Sequence, residues 1–324
     1  MAGSGVFNKA AGDKVYDGDY NAVQTFVNNL MGTGSGNYGY GQLGGSYGTY
    51  SSNTSRSSGT KILASDLQNL KADLDKASHH QTGSVTALTA ISTGTKLSAT
   101  TWNSYYSSAQ TLFDSTNRFR LHATNQGIGT GITGVLTSGW NGTRTHEVTV
   151  DFGSANAARY FFNTGGWIQV QGTVDTPGSA GTKPYSWNNM LATRITAMKF
   201  GHNYTSITGP GSGGGVTVTT STSVGWYSGI TPGSVSWTQL LLAVDTTPYS
   251  NNDYTVNAKI DATSRYLYLQ IIFDDGAVTA PSTIDETVSS NVNSVVKPYY
   301  ALSALGLSNG VTVPVPTVST TSGP

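Results

Sequence analysis

The sequence predicts an α+β chain: an N-terminal helical region of three repeated helix units, then a mainly antiparallel β-sandwich-like domain with short crossover helices, then an extended C-terminal tail. Three observations carry this reading. A twelve-position segment recurs three times in the first third of the chain. Each recurrence opens a stretch whose apolar residues fall at helical spacing. From about residue 117 the apolar spacing shortens to two, the period of a half-buried strand. The divisions that follow are 1–116, with a Gly/Tyr/Ser-rich linker at 32–60, then 117–305 and 306–324.

The first copy runs from Gly12-Asp13-Lys14-Val15 to Asp19-Tyr20-Asn21 and Val23. The second runs from Gly59-Thr60-Lys61-Ile62 to Asp66-Leu67-Gln68 and Leu70, and the third from Gly94-Thr95-Lys96-Leu97 to Thr101-Trp102-Asn103 and Tyr105. Beyond the aligned segment the helical stripe continues. Tyr20, Val23, Val27 and Leu30 lie on one helix face, as do Leu67, Leu70, Leu74 and Ala77, and Trp102, Tyr105, Ala109 and Leu112. Asp17, Ser65 and Thr100 are candidate N-caps, and Gly32 and Gly83 are candidate stop signals. Helices this short need their stripes covered, either by one another or by a neighbouring subunit.

The linker holds Asn37-Tyr38-Gly39-Tyr40-Gly41-Gln42 and too few aliphatic residues for a core, so it reads as an extended arm ordered by packing its tyrosines. In the β region, Val148, Val150 and Phe152 alternate with polar residues. Tyr254 to Ile260 and Leu267 to Phe273 alternate on either side of the turn 261–265, the clearest hairpin in the chain. Strands are also expected at 167–174, 216–222, 223–228 and 235–242, with short helices at 154–162 and 187–198. The uncharged Val/Thr/Pro tail reads as extended, suited to joining the edge of a neighbour's sheet.

Composition narrows function. Only 10% of residues are charged, against roughly 25% in ordinary globular domains, and 17 Lys+Arg balance 17 Asp+Glu. Such a chain has no electrostatic footprint for nucleic acid or an anionic membrane. A surface solvated by hydroxyls and amides is buried against a neighbour at lower desolvation cost than a charged one, which suits an assembly subunit. The absence of cysteine excludes disulfides, thiolate nucleophiles and Cys-based metal sites. Residues 1–9 lack the profile of a signal peptide, and no stretch approaches the ~20 apolar residues of a membrane span.

Candidate chemistry is sparse. His79 and His80 are adjacent at a helix end and cannot share a helix face as metal ligands would. Asp13, Asp17 and Asp19 lack the spacing and distal Glu of a calcium loop. Gly211 to Gly215 has no following Lys-Ser/Thr, so it reads as a turn and not a phosphate loop. No Gly-x-Ser-x-Gly elbow stands between a strand and a helix. The reading is therefore non-enzymatic, with no cofactor or metal. The aromatics, including Tyr38, Tyr40, Trp140, Trp167, Trp187, Trp226 and Trp237, divide between core and contact surfaces.

Two stretches resemble virion structural proteins of tailed bacteriophages, particularly cyanophage-like and marine ones. One is Ile62-Leu-Ala-Ser-Asp66-Leu-Gln-Asn-Leu70, with Gly39-Tyr40-Gly41-Gln42 and His80-Gln81-Thr82-Gly83. The other is Asp151-Phe-Gly-Ser-Ala-Asn-Ala-Ala-Arg159-Tyr-Phe-Phe-Asn163-Thr-Gly-Gly166. The resemblance covers roughly residues 12 to 170. It implies a virion component of tail, baseplate or neck, assembled in the host bacterial cytoplasm, whose partners are copies of itself and other virion proteins. The alternative is a fibre, spike or capsid decoration protein that binds a host receptor or surface glycan. The candidate subunit-contact residues are Tyr20, Val23, Val27, Leu30, Tyr38, Tyr40, Leu67, Leu70, Leu74, Trp102, Tyr105, Val313 and Val315.

Overall fold

The computed structural model describes residues 8–32, 39–40, 55–136, 139–202, 204–212, 215–219, 231–276, 287–302 and 311–322. The expected strand at 223–228, Tyr38 and Trp226 lie outside these residues. The fold is mixed α+β, with its helices concentrated towards the N-terminus and two antiparallel sheets following. The chain forms two compact units. The first comprises Met1–Gly127, Asn163–Gly165 and Ala301–Val311; the second comprises Ile128–Phe162, Gly166–Tyr300 and Thr312–Pro324. The boundary expected after residue 116 thus falls after Gly127, and of the expected tail the residues from Thr312 onward belong to the β-rich unit.

Three helices build the first unit: α1 (Asp17–Met31), α2 (Ala64–Thr82) and α3 (Ala99–Phe113). Their apolar stripes meet in one core, with Val23, Leu70, Trp102 and Tyr105 all fully buried. The helices begin earlier than the expected caps. Tyr16, Leu63 and Ser98 hold the N-cap positions, in place of Asp17, Ser65 and Thr100. In α1 and α2 the capping group sits inside the helix: the carboxylates of Asp19 and Asp66 reach back to accept the backbone N–H of Tyr16 (2.9 Å) and Leu63 (2.8 Å). In α3 Ser98 Oγ accepts the N–H of Thr101 instead. Gly83 closes α2 in the left-handed conformation, whereas Gly32 follows α1 in an extended one.

Two six-stranded antiparallel sheets follow, built from the second unit apart from Gln126, Gly127 and Ala301. The first sheet takes β1 (Gln126–Ile128), β2 (Ile132–Leu136), β4 (Trp167–Val174), β5 (Met198–Gly201), β6 (Tyr204–Ile207) and β11 (Val292–Ala301), in the order β1-β11-β4-β5-β6 with β2 also on β11. The second takes β3 (Gly142–Asp151), β7 (Val216–Val218), β8 (Thr238–Val244), β9 (Asn252–Ile260), β10 (Tyr266–Asp275) and β12 (Val315–Ser322), in the order β12-β3-β10-β9-β8-β7. Helices α4 (Ala155–Asn163) and α5 (Lys183–Asn188) lie in the β3–β4 and β4–β5 connections. The inner faces of the sheets share a core. The Tyr254 ring of β9 packs where Gly172 of β4 leaves room, and His146 of β3 hydrogen-bonds Ser294 of β11 at 2.8 Å.

Strand alternation dictates this arrangement. Along β9 and β10 every second residue is buried, and Leu267 stands opposite Ile260 at the mouth of their hairpin. Asp261 organises the turn by accepting the backbone N–H groups of Thr263, Arg265 and Tyr266. The expected helix at 187–198 is corrected. It divides into α5 and a π-type turn over Asn189–Ile195, after which Met198 opens β5, because Thr196 leaves helical space with φ of 59°.

The end of α4 gives the Arg159–Gly166 run a structural role. Gly165 has φ of +82°, and the N–H of Gly166 bonds the Phe161 carbonyl at 2.9 Å, the 6→1 closure of a Schellman motif. A Cβ on Gly165 would stand 2.7 Å from Leu121 Cβ and 2.8 Å from the Phe119 carbonyl oxygen. Gly165→Ala is therefore expected to lose about 2–4 kcal/mol, combining the left-handed backbone penalty with overpacking. Gly94→Ala, at φ of +85° but with open space around it, should lose only the backbone part, about 1–2 kcal/mol. Urea denaturation of the two variants checks the difference.

Candidate functional site

The lead-ins to α1, α2 and α3 share one geometry. In each, a glycine with positive φ (Gly12, Gly59, Gly94) sits third in a turn closed by Asp13 N–H to Ala10, Thr60 N–H to Ser57 and Thr95 N–H to Ser92, at 3.0–3.1 Å. Glycine is favoured at this position because the turn needs the left-handed region there. The Asn/Gln position of each segment then grips the backbone ahead of another lead-in. Asn21 of α1 exchanges two 2.8 Å hydrogen bonds with the backbone of Arg56. Gln68 of α2 donates to the Ile91 carbonyl at 2.8 Å. Asn103 of α3 closes the circle, bonding the backbone of Lys9 at 2.8 and 3.0 Å.

Arg56, Ile91 and Lys9 each lie three residues before the lead-in glycine, so the three grips are equivalent in sequence position and run as a closed cycle. Ion pairs reinforce two of the three positions. Lys9 Nζ is 2.7 Å from Asp19, and Arg56 pairs with Asp66; the corresponding residues of the third copy are Ile91 and Thr101, and they carry no charge.

The lead-ins enclose a cavity of about 950 Å³ beside the helix N-termini. Val15, Ile62 and Leu97, the branched aliphatic of each segment, line it and pack against the core beneath. Tyr16 (60% exposed) and Leu63 (51% exposed) stand at its mouth. The charged lining residues, including Lys14, Lys61 and Asp17, are of both signs, and none is buried. The cleft offers shape and apolar area, without a buried acid, base or nucleophile among its lining residues.

The structure places most of the expected contact residues elsewhere. Tyr20, Val23, Val27, Leu30, Tyr40, Leu67, Leu70, Leu74, Trp102 and Tyr105 are at most 4% exposed. This corrects their assignment to intersubunit contact: the three stripes cover one another, so these side chains are already consumed by the core of their own chain. Tyr38 lies outside the described residues. Val313 is half-buried, and Val315 is exposed on β12. The tail is also corrected, since β12 pairs with β3 of the same chain. Sequence reasoning missed the ring of amide grips. The Asn/Gln position is visible in the repeat, but its partners fall outside the aligned segment.

The second unit carries partly exposed aromatic rows and buried ion pairs. Trp167 stacks on Tyr299 at 3.8 Å between centroids, with Lys199 Nζ 4.6 Å from the Trp167 ring. On the other sheet Lys259 lies 4.3 Å from the Trp237 ring and 5.6 Å from that of Tyr268. Trp140 and Trp187 are fully buried. In the interior, Lys183 pairs with Asp275, and Arg194 lies 3.7 Å from Asp245, whose carboxyl desolvation holds above the usual range. Among the described residues no group of three or more His, Asp or Glu is arranged to hold a metal, and no helix is long and apolar enough to cross a membrane. The fold is that of a mixed α+β protein with two antiparallel sheets. Neither a family model, nor a curated protein, nor a solved structure matches the chain.

Proposed function

We propose that the chain is a non-enzymatic structural subunit of a phage particle, a tail, baseplate or neck component. The observation that carries the reading is the cleft ringed by the three lead-ins, with Tyr16 and Leu63 exposed at its mouth. Exposed apolar side chains around a concavity are the usual mark of a protein contact. The low charge of the chain lowers the desolvation cost of such a contact. The helix stripes are spent on the core, so assembly contacts fall to the lead-in turns and to β12, an edge strand of its sheet. Its partners are then copies of itself and other virion proteins. In sedimentation velocity the purified chain is expected to form concentration-dependent oligomers that Tyr16→Ser/Leu63→Ser weakens, and an antibody to it should label the particle. A chain that stays monomeric at high concentration and labels no particle overturns the proposal.

A second reading, a receptor- or glycan-binding fibre, spike or decoration protein, is favoured by the half-exposed Trp237–Lys259–Tyr268 row. Aromatic faces beside hydrogen-bonding side chains suit sugar rings. Glycan-array binding that disappears in Trp237→Ala and survives in Tyr16→Ser/Leu63→Ser would select it over the first.

A further inference from the structure

Lys183 and Asp275 are both 0% exposed, with Nζ 3.0 Å from Oδ1 and 3.1 Å from Oδ2. They come from different elements of the second unit: Lys183 opens α5, and Asp275 ends the inward-facing row of β10. Trp187, one turn along α5 from the lysine, packs 6.0 Å from Phe273, the preceding inward residue of β10, and 5.4 Å from Trp140. These rings keep bulk water from the pair. An ion pair in such a place retains a large desolvation penalty on both charges. One proton passed along the hydrogen bond leaves a neutral amine facing a neutral carboxylic acid, and only the neutral amine is a nucleophile. A nitrogen this close to both oxygens is also within the ~3–3.5 Å of the carboxyl carbon that near-attack geometry requires.

We propose that Lys183 and Asp275 condense in the folded chain to an intramolecular amide. The neutral Nζ attacks Cγ of protonated Asp275 and forms the N–C bond. The second amine proton passes to the carboxyl hydroxyl, the C–O bond breaks, and the hydroxyl departs as water. No oxidant, reductant or further reactant enters, and the charge balance is unchanged because one positive and one negative group disappear together. The product exchanges two buried charges for a neutral amide, and the dry surroundings that promote its formation also protect it from hydrolysis. It ties α5 to β10 across 92 residues of sequence. The proposal stands independently of the virion reading, because the chemistry needs only the folded second unit.

Intact-mass spectrometry of the purified full chain under denaturing conditions tests it. The expected mass is one water below that of the sequence, and proteolysis should give a branched species joining the Lys183 peptide to the Asp275 peptide. Lys183→Met and Asp275→Ala are each expected at full sequence mass. Should either variant fail to fold, the unsubstituted chain still decides. Separate linear peptides carrying unmodified Lys183 and Asp275, from a chain kept folded for days, overturn the proposal. A water loss that maps to any other pair does the same.

Discussion

Trp102→Ala is expected to destabilise the first unit by about 3–5 kcal/mol, the range for deleting a large buried aromatic side chain. Trp102 is 0% exposed and holds the position on α3 that Tyr20 holds on α1 and Leu67 on α2, where the three stripes converge. Its indole N–H finds no acceptor among the described residues, so Trp102→Phe gives up part of the packing volume and relieves an unmet hydrogen-bonding group. The loss in Trp102→Phe should accordingly be much smaller. Chemical denaturation followed by far-ultraviolet circular dichroism measures both, without depending on tryptophan emission. The two compact units can unfold in separate steps, and the lower-stability transition must then be assigned before either value is compared. The outcome decides how the helix stripes are used. Residues held free for another subunit would change the isolated chain's stability by no more than about 0.5 kcal/mol when truncated.

The stripes themselves were legible because a period near 3.6 survives in any packing that covers one helix face. What covers them was not, since a stripe facing its own chain and one facing a neighbour have the same spacing. The caps moved for a local reason. Asp19 and Asp66 sit at the third helical position and reach backwards, so the short polar residues nearest the apparent start do not mark it. The amide ring was hidden because each grip joins distant segments: Asn103 and Lys9 are 94 residues apart. The β9–β10 hairpin could be read from alternation and its turn, whereas β11 could not. Pro298 lies within it, and its inward Ser294 is polar because it answers His146 across the core. The cleft exists only once the ring closes, which places it beyond any linear motif.

Acid should destabilise both units through His80 and His146. Burial pushes the imidazole of His80 down from 6.5 to about 4, against the opposing effect of its 2.9 Å contact with the Thr164 carbonyl. The Tyr40 ring lies 4.7 Å away, and burial holds that phenol neutral throughout the range. Desolvation likewise lowers His146 to about 4, beside Ser294 and the Phe273 ring. Above pH 6.5 both histidines are neutral whether folded or unfolded, and the stability they permit is fully present. As pH falls from 6.5 towards about 4 the unfolded chain takes up protons that the folded chain refuses, and stability declines; below the folded value the two states are protonated alike and the loss levels off. For His80 the full loss is about 3 kcal/mol. Asp245 and Asp253, whose carboxyls burial holds above the usual range, act in the opposite direction and soften the slope. His80→Phe isolates the effect: its unfolding free energy should fall less than that of the unsubstituted chain between about pH 7.5 and 4.5. Equal slopes in the two proteins would show that His80 is not the residue refusing the proton.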